Sequence, residues 1–471
     1  MPVTIKGLGG FDQIGASAAF VSTPSGKNLM IDCGLSVGSR RDGDQTVHFS
    51  ETHAEPPGHV EAVLVTHAHN DHIGNLANMS YMFPEAKVFM TRPTFHIGGS
   101  EALNTSRLIK KGIANPPIGY IGEPAKYQHN FLAGFHRAFL GNQENVINAP
   151  GWVSVLPGVD AYFGPSGHIR GAAYIVLRID EGNGKYKYIM FTGDVSFYDS
   201  PTVKGMRVPE EFVGKLDAIF VESTYGDRQL IPRYEEAARM VYWALKTIED
   251  SGICLAPGFG ISRCQNVLLD QVKGGVKPLF LDGRGRVILG IYEDPEKGYW
   301  CDLDHSDGVD LRNDPRILCI SDREDREDLI YDSGPFSVVT TAGMMMTGSW
   351  ANLYATSNGF LENPANTLLL TGFQAENTRG RILEDAVQNG RPIRLGGSQE
   401  IVIRANVPPR LQLSDHADGE QIARIVMDLR PRRVFVVHGH DNGRRGLENN
   451  LRKAGFGGPI HLPANGDEIE I

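Results

Sequence analysis

The N-terminal part of the chain alternates short apolar runs with glycine-rich and polar turns, a pattern that predicts β-strands. The runs cover residues 3–8, 18–22, 29–31, 62–65, 174–179, 186–191 and 218–221. The fifth and sixth runs flank a turn at 180–184, so we expect them to pair as a hairpin. Residues 94–151 show neither the apolar periodicity of a helix nor that of a strand, and they are predicted to be irregular.

After residue 226, helical patterns alternate with apolar runs. Apolar residues at helical spacing predict a helix over 235–248 that ends before Gly252. Strands are predicted at 253–256, 338–341 and 367–370. This alternation predicts a separate α/β unit in the middle of the chain. The acidic stretch 292–328 is predicted to be an exposed excursion.

Acids and histidines follow several predicted strands. They are Asp32, Asp194, Glu222 and, after a predicted strand at 433–437, His438. Predicted helices flank that last strand at 419–429 and 442–454. Strand ends are where α/β proteins gather their catalytic groups, so these positions are candidates for one site.

The composition is that of a soluble globular protein, with 41% hydrophobic and 22% charged residues. A length of 471 residues predicts two or three packed units. The formal net charge of −10 argues against a protein that coats nucleic acid through bulk electrostatics. A locally basic groove stays open.

Five dispersed cysteines without C-x-x-C spacing predict free thiols in a reducing compartment. The sequence shows no basic-then-apolar signal at its N-terminus, and no apolar stretch approaches the roughly 20 residues of a membrane span. We therefore expect a cytoplasmic protein that does not contact a membrane.

The run 66–74 places three histidines and an aspartate close together after an apolar strand. Zinc takes imidazole nitrogen and carboxylate oxygen, and a loop leaving a strand can direct alternate side chains to opposite sides. His67 and His69 can therefore bind one ion while Asp71 and His72 turn toward a second. The alternative is a solvated polar turn, but desolvating so many titratable groups without a metal is costly.

Other histidines and acids fit this metal site less directly. His168 lies in a glycine-lined turn before a strand and is either a ligand or structural. Asp194 could bridge two ions, and Asp32 is predicted to orient the ligands. Surface or packing roles are predicted for His96, His129 and His136.

Taken in order, these motifs resemble those of the metallo-β-lactamase superfamily. A second set is similar to its β-CASP nucleases, the group that includes bacterial ribonuclease J and the endonuclease subunit of the pre-mRNA 3′-end cleavage complex. The second set covers residues 221–226, 257–265, 342–348, 371–376, 413–418 and 436–439. The resemblance implies an α/β fold, a metallo-β-lactamase αββα sandwich with an inserted α/β β-CASP domain. The implied boundaries are 1–226 and 400–471 for the sandwich and 227–399 for the insertion.

The resemblance also implies two Zn²⁺ ions with one set of ligands each and one bridging residue: His67, His69 and His168; Asp71, His72 and His438; and Asp194. Glu222 and His416 would form an acid pair, in which the carboxylate orients an imidazolium that protonates the leaving oxygen. The implied catalytic residues are His416, Glu222, Asp194 and Asp32.

A histidine at the position of His438 accompanies RNA-processing members of the family, so the implied substrate is single-stranded RNA. Two zinc ions would lower the pKa of a shared water and give 5′-phosphate and 3′-hydroxyl ends. Candidate phosphate contacts are Arg263, Gly343, Met344, Arg379 and Arg381. The chain departs from the family pattern at Asn266, where Glu is usual, and at His440, where an acid is common.

Two other functions compete with this hypothesis. The first is a metallo-hydrolase of a different ester, against which the acid pair and the insertion argue. The second is a non-catalytic RNA-binding subunit, against which the filled ligand positions argue. Endonucleolytic cutting and 5′-to-3′ exonucleolytic digestion both stay open, as do a homodimer and membership of an RNA-processing complex.

Overall fold

The computed structural model describes residues 2–37, 49–111, 127–182, 184–301, 314–332, 334–346, 348–394 and 400–471. These residues form two seven-stranded sheets, a five-stranded sheet and a two-stranded ribbon. The first sheet has the spatial order Glu468–Glu470, Thr4–Gly9, Ala18–Ser22, Asn28–Ile31, Ala62–Leu64, Lys87–Thr91 and Val146–Ile147. The second has the order Ile460–His461, Val434–Val436, Ala218–Val221, Lys185–Phe191, Ala173–Gly182, Val159–Pro165 and Gly151–Leu156.

The third sheet has the order Ile317–Cys319, Leu279–Leu281, Phe336–Thr340, Ile253–Pro257 and Thr367–Leu368, and the ribbon pairs Leu35–Val37 with Phe49–Thr52. The α-helices of the described residues are Asn70–Ile73, Leu76–Met82, Arg92–Lys110, Tyr127–Phe135, Arg233–Glu249, Arg263–Lys273, Arg284–Tyr292, Arg323–Tyr331, Trp350–Thr356, Arg379–Asn389, Gly419–Leu429 and Asp441–Lys453. Shorter 3₁₀ or π turns lie at His136–Leu140, Gln143–Asn145, Glu210–Phe212 and Phe360–Glu362.

The two seven-stranded sheets face each other across one apolar core. Ile175 and Leu177 of Ala173–Gly182 pack in that core, and Val176 between them packs with helices on the outer face. On the first sheet, Met30 packs outward against a second set of helices. This alternation follows from the period of two along a strand. Helices thus cover both outer faces, and the predicted αββα sandwich is confirmed.

The five-stranded sheet is parallel throughout. Leu255 and Val338 pack in one apolar cluster, and Ala256 and Val339 pack in another. Both faces are therefore buried, which explains why its strands read as continuous apolar runs rather than alternating ones.

The C-terminal residues add strands to both sheets of the sandwich. Val434–Val436 pairs in parallel with Ala218–Val221, and Glu468–Glu470 pairs antiparallel with Thr4–Gly9. We propose on this basis that 1–226 and 400–471 form one domain and that 227–399 is inserted into it. The upper boundary, Gln399, lies outside the described residues.

The irregular structure predicted for 94–151 and the exposed excursion predicted for 292–328 were both wrong in part. Most of the helix Arg92–Lys110 lies in the first stretch, and the Thr91 side chain caps this helix by accepting from the backbone N–H of Thr94. The stretch 292–328 contributes the strand Ile317–Cys319, and its Trp300 is buried in the core between the two sheets. Residues 302–313 of that stretch lie outside the described part of the chain. Among the described helices, none is both long and apolar enough to cross a bilayer.

Candidate metal centre

Five of the predicted site residues follow strands at one edge of the sandwich. The strands that precede them run parallel to their neighbours, so their carboxyl ends lie at the same edge. These residues are Asp32, His67, Asp194, Glu222 and His438. Contacts between residues of the two sheets then close the site, as between His67 Nε2 and Asp194 Oδ2 at 3.5 Å.

The chain turns sharply where it delivers these side chains. Asp32 and His438 have backbone φ angles of +60° and +49°, a conformation that L residues rarely adopt. Strained backbone of this kind costs about 1–3 kcal/mol and concentrates at functional sites. Gly193 also has a positive φ, and a Cβ there would meet Thr66 Cβ at 2.8 Å. Glycine is therefore required directly before Asp194.

His67, His69 and His168 form the first group with one oxygen of Asp194. His69 Nδ1 lies 3.2 Å from His67 Nε2 and 3.1 Å from His168 Nε2. Asp194 Oδ2 lies 3.5 and 3.6 Å from the Nε2 atoms of His67 and His168. Ligands about 2.0–2.1 Å from a tetrahedral zinc are about 3.3 Å apart. The four atoms therefore have the spacing of one coordination sphere.

Asp71, His72 and His438 form the second group. Asp71 Oδ2 lies 3.9 Å from His72 Nε2 and 3.5 Å from His438 Nε2. The other oxygen of Asp194, Oδ1, lies 3.4 Å from His72 Nε2 and 3.3 Å from His438 Nδ1. Each oxygen of Asp194 thus faces a different group, which is the geometry that a bridging carboxylate needs.

Unpaired polar atoms support metal binding at the second group. Asp194 Oδ1 and His438 Nε2 are buried and have no hydrogen-bond partner among the described residues. Buried polar atoms nearly always have a bonding partner. A bound metal ion would supply the partner that these two atoms lack. The donor set of imidazoles and carboxylates fits zinc.

The pKa shifts indicate where positive charge is favoured. Burial lowers the pKa of His67 well below its usual value and that of His168 to about 3, which keeps both imidazoles in the neutral form that binds metals. Burial would also lower the pKa of His72, but the charges of Asp194, Asp32 and Asp71 raise it well above its usual value. These carboxylates therefore stabilise a cation in the second group.

Asp32 contacts His72, which is the contact that its predicted orienting role requires. Its Oδ2 accepts from His72 Nδ1 at 2.8 Å and from the Thr66 hydroxyl at 2.8 Å, and its Oδ1 accepts from the Thr66 backbone N–H at 2.7 Å. A proton on Nδ1 leaves Nε2 of His72 free to face the second group. His168 is oriented in the same way, because its Nδ1 lies 2.6 Å from the backbone carbonyl oxygen of Asp415.

Glu222 and His416 lie against this centre. His416 Nδ1 is 3.0 Å from both oxygens of Glu222, and His416 Nε2 is 4.0 Å from Asp194 Oδ2. Burial alone would lower the pKa of His416, but the charges of Glu222 and Asp194 outweigh it and raise the pKa to about 10. The His416 side chain is 20% exposed, whereas that of His168 is 1% exposed. His416 therefore carries a proton on the open side of the site.

The candidate phosphate contacts lie on the inserted segment, and most are engaged within it. Arg263 is buried, donates to the backbone carbonyl of Thr371 and pairs with Asp415 at 3.3 Å. Arg379 donates to the backbone carbonyl of Arg394, and Arg381 pairs with Glu384 and Asp385. The carbonyls of Gly343 and Met344 accept from Gln374 and from the Gly380 N–H. A phosphate-binding role for these five residues stays a prediction.

Sequence reasoning missed several residues that hold the site. They are Thr66, which joins Asp32 to the histidines, Thr224, whose Oγ1 lies 3.3 Å from His438 Nδ1, and Asp415. Both Thr66 and Asp415 are sequence neighbours of predicted ligands or acids, which was the one available signal. His129 and His136 are exposed on the surface, as expected.

Comparisons with known proteins match both ends of the chain. The family described as the metallo-beta-lactamase superfamily matches residues 13–134, which contain the H-x-H-x-D-H run. The Zn-dependent metallo-hydrolase RNA specificity domain matches residues 400–463, which contain His416 and His438.

Several archaeal proteins are similar over almost the whole chain. The transcription termination factor FttA of Methanosarcina mazei is 27% identical over 96% of this chain and 69% of its own length. FttA of Thermococcus kodakarensis is 25% identical over 100% and 71%. An RNase J-like protein of Methanocaldococcus jannaschii is 27% identical over 93% and 92%. The similarity therefore includes the inserted segment as well as the sandwich.

Proposed function

We propose that this chain, which matches the metallo-β-lactamase superfamily near its N-terminus and a Zn-dependent metallo-hydrolase RNA specificity domain near its C-terminus, is a metal-dependent ribonuclease. The substrate is single-stranded RNA, and each cut leaves a 5′-phosphate and a 3′-hydroxyl end. The RNA specificity domain and the RNase J-like relative favour RNA over a different ester.

The observation that carries this proposal is the position of His416. Its Nδ1 is held by Glu222, its Nε2 points at the oxygen of Asp194 that faces the first ligand group, and its side chain reaches the open side of the site. Hydrolysis of other esters needs no such donor when the leaving group is a good one, whereas an RNA 3′-oxygen must be protonated as it leaves.

The metal ligands, His416 and Glu222 have separate roles in hydrolysis. Two zinc ions held by the ligand groups and Asp194 would supply an acidic water and screen the phosphate charge. The Nε2–H of His416 gives its proton to the 3′-oxygen as the P–O3′ bond breaks, and the hydroxyl taken from water stays on phosphorus as the 5′-phosphate. Glu222 keeps the proton of His416 on the correct side and stabilises the imidazolium beforehand.

The test is cleavage of 5′-labelled single-stranded RNA and of the matched DNA by the purified protein, by His416→Ala and by His129→Ala. We expect RNA-selective cutting, an approximately 10²–10⁴-fold lower rate for His416→Ala, and an unchanged rate for the exposed control His129→Ala. The product ladder separates endonucleolytic from exonucleolytic cutting.

An activated diester separates the acid from the rest of the machinery. Bis(p-nitrophenyl) phosphate releases a phenolate that needs little protonation, so His416→Ala should lose much less activity on it than on RNA. Equal losses on both substrates would contradict the acid role. If the zinc-loaded wild type cuts neither RNA nor DNA, the protein is not a nuclease that acts on its own. That result would favour a required partner protein or a different ester as the substrate.

Removal of the metal tests the ligand assignment directly. We expect two zinc ions per chain by elemental analysis, loss of RNA cleavage after chelation and recovery when zinc is restored. Cleavage that persists in the zinc-free protein would contradict a metal-dependent mechanism.

A further inference from the structure

The carboxylate of Asp415 is buried and is bound by one helix of the inserted segment. Arg263 and Asn266 lie on Arg263–Lys273. Arg263 Nη2 lies 3.3 Å from Asp415 Oδ2, and Asn266 Nδ2 donates to Asp415 Oδ1 at 3.1 Å. A buried carboxylate is stable only when it is paired and hydrogen-bonded in this way, so these two residues fix the position of Asp415.

Asp415 links that helix to the metal centre through its backbone. Its carbonyl oxygen lies 2.6 Å from Nδ1 of His168, and the next residue is the acid His416. A carbonyl acceptor on Nδ1 fixes the tautomer of the imidazole and turns its Nε2 toward the first ligand group. The orientation of His168 thus depends on where the inserted helix holds Asp415.

A second chain of hydrogen bonds joins the same helix to the other side of the His168 loop, which is the glycine-lined turn 164–171. Asn266 Oδ1 accepts from the Thr202 hydroxyl at 2.7 Å, and the Thr202 carbonyl accepts from Arg170 Nη2 at 3.2 Å. Arg170 follows His168 by two residues. The His168 loop is therefore held on both sides, and Asn266 belongs to both paths.

We propose that Asn266 and Arg263 are positioning residues that orient His168 for metal binding through Asp415. The amide of Asn266 is required because it donates to Asp415 and accepts from Thr202 at the same time, which a carboxylate at this position does not do. The inserted segment therefore completes the first ligand group without contributing a ligand to it. The inference shares one assumption with the proposed function, which is that His168 is a metal ligand.

The test is zinc affinity, measured by competition with a chromophoric chelator, in the wild type, Asn266→Asp and Asn389→Asp. Asn266→Asp keeps the side-chain size and replaces the donating amide with an acceptor beside Asp415. We expect one of the two zinc ions to bind about 10–100-fold more weakly. The visible spectrum of the cobalt-loaded protein should change as well, because the geometry at His168 changes.

Asn389→Asp is the matched control, since it adds the same charge at an exposed site on the helix Arg379–Asn389. Wild-type zinc affinity and an unchanged cobalt spectrum in Asn266→Asp would overturn the inference. If that variant does not fold, Asn266→Ala removes the hydrogen bonds of the amide to Asp415 and Thr202 without adding a charge. We then expect a several-fold loss of zinc affinity, and no loss would overturn the inference.

These outcomes are independent of RNA cleavage. A wild type that binds two zinc ions but cuts no RNA would contradict the proposed function and leave the affinity comparison intact. A cutting enzyme whose zinc affinity ignores Asn266 would contradict the inference alone.

Discussion

At the scale of single residues, the tautomer of His72 depends on Asp32. Asp32 Oδ2 lies 2.8 Å from His72 Nδ1, so the proton of the neutral imidazole stays on Nδ1 and Nε2 faces the metal position. In Asp32→Asn, the amide can donate to Nδ1, which would move the proton to Nε2 and block it as a ligand. We expect zinc affinity in the second group to fall about 10–100-fold, as measured by chelator competition.

The control for this prediction is Asp428→Asn, which removes the same charge from an exposed position on Gly419–Leu429. It should bind both zinc ions like the wild type. If Asp32→Asn also keeps wild-type affinity, then the orientation of His72 does not depend on Asp32.

Much of the site could be predicted from residues, because its ligands occur in dense local patterns or directly after strands. Four of the predicted ligands lie within six consecutive positions, so their proximity is evident without knowledge of the fold: His67, His69, Asp71 and His72. The contact between Asn266 and Asp415 joins residues 149 positions apart. Nothing in the local pattern of either residue indicates that the two side chains meet.

At the scale of elements, the helix Tyr127–Phe135 crosses the helix Leu76–Met82, which follows the metal-binding run. A Cβ on Gly134 would lie 1.7 Å from the backbone oxygen of Ala77, so an alanine would force the two backbones apart. We expect Gly134→Ala to lower the free energy of unfolding by about 1–3 kcal/mol. Urea denaturation followed by circular dichroism measures this change.

Gly290→Ala is the matched substitution, because a Cβ on Gly290 meets nothing within 4 Å and the residue lies within the helix Arg284–Tyr292. Here alanine should raise the free energy of unfolding by about 0.5–1 kcal/mol, since glycine loses more backbone entropy in a helix. Equal effects of the two substitutions would show that the crossing at Gly134 has room to relax.

Elements were predictable where local pattern and packing agree. The strands Ala18–Ser22 and Ala218–Val221 and the helix Gly419–Leu429 have their predicted bounds. The helix Arg92–Lys110 was missed because Gly98 and Gly99 lower helix propensity within it. Those glycines lie against Ile73 and Phe139, so tertiary packing, which the local sequence does not display, compensates for the poor propensity.

At the scale of the whole molecule, the inserted segment packs directly behind the metal-binding loops. Ala68, which lies between two predicted ligands, and Ile169, which follows His168, share one apolar cluster with Ile261 and Ile288 of the inserted segment. Burial of this kind is non-directional, so it brings the two parts together without setting their relative orientation. Charged contacts at the edge of the cluster can set it.

Arg284 of the inserted segment makes such a contact with the helix Arg92–Lys110. Its Nε lies 3.2 Å from Glu101 Oε1, and its Nη2 lies 3.0 Å from the Ser100 hydroxyl. The two charged side chains are 24% and 14% exposed, so the pair is partly shielded from water. Arg284→Glu should place like charges together, which would weaken docking and slow RNA cleavage.

The exchange Arg284→Glu with Glu101→Arg restores opposite charges and tests whether the contact itself matters. We expect the double variant to be more stable than the sum of the two single effects predicts, with a coupling energy of about 1 kcal/mol by urea denaturation. RNA cleavage should recover in parallel, because the orientation of the inserted segment determines where its helix holds Asp415. Strictly additive effects on stability and on cleavage would mean that the ion pair is only a surface contact, and that other directional contacts, such as that of Asn266 with Asp415, set the orientation.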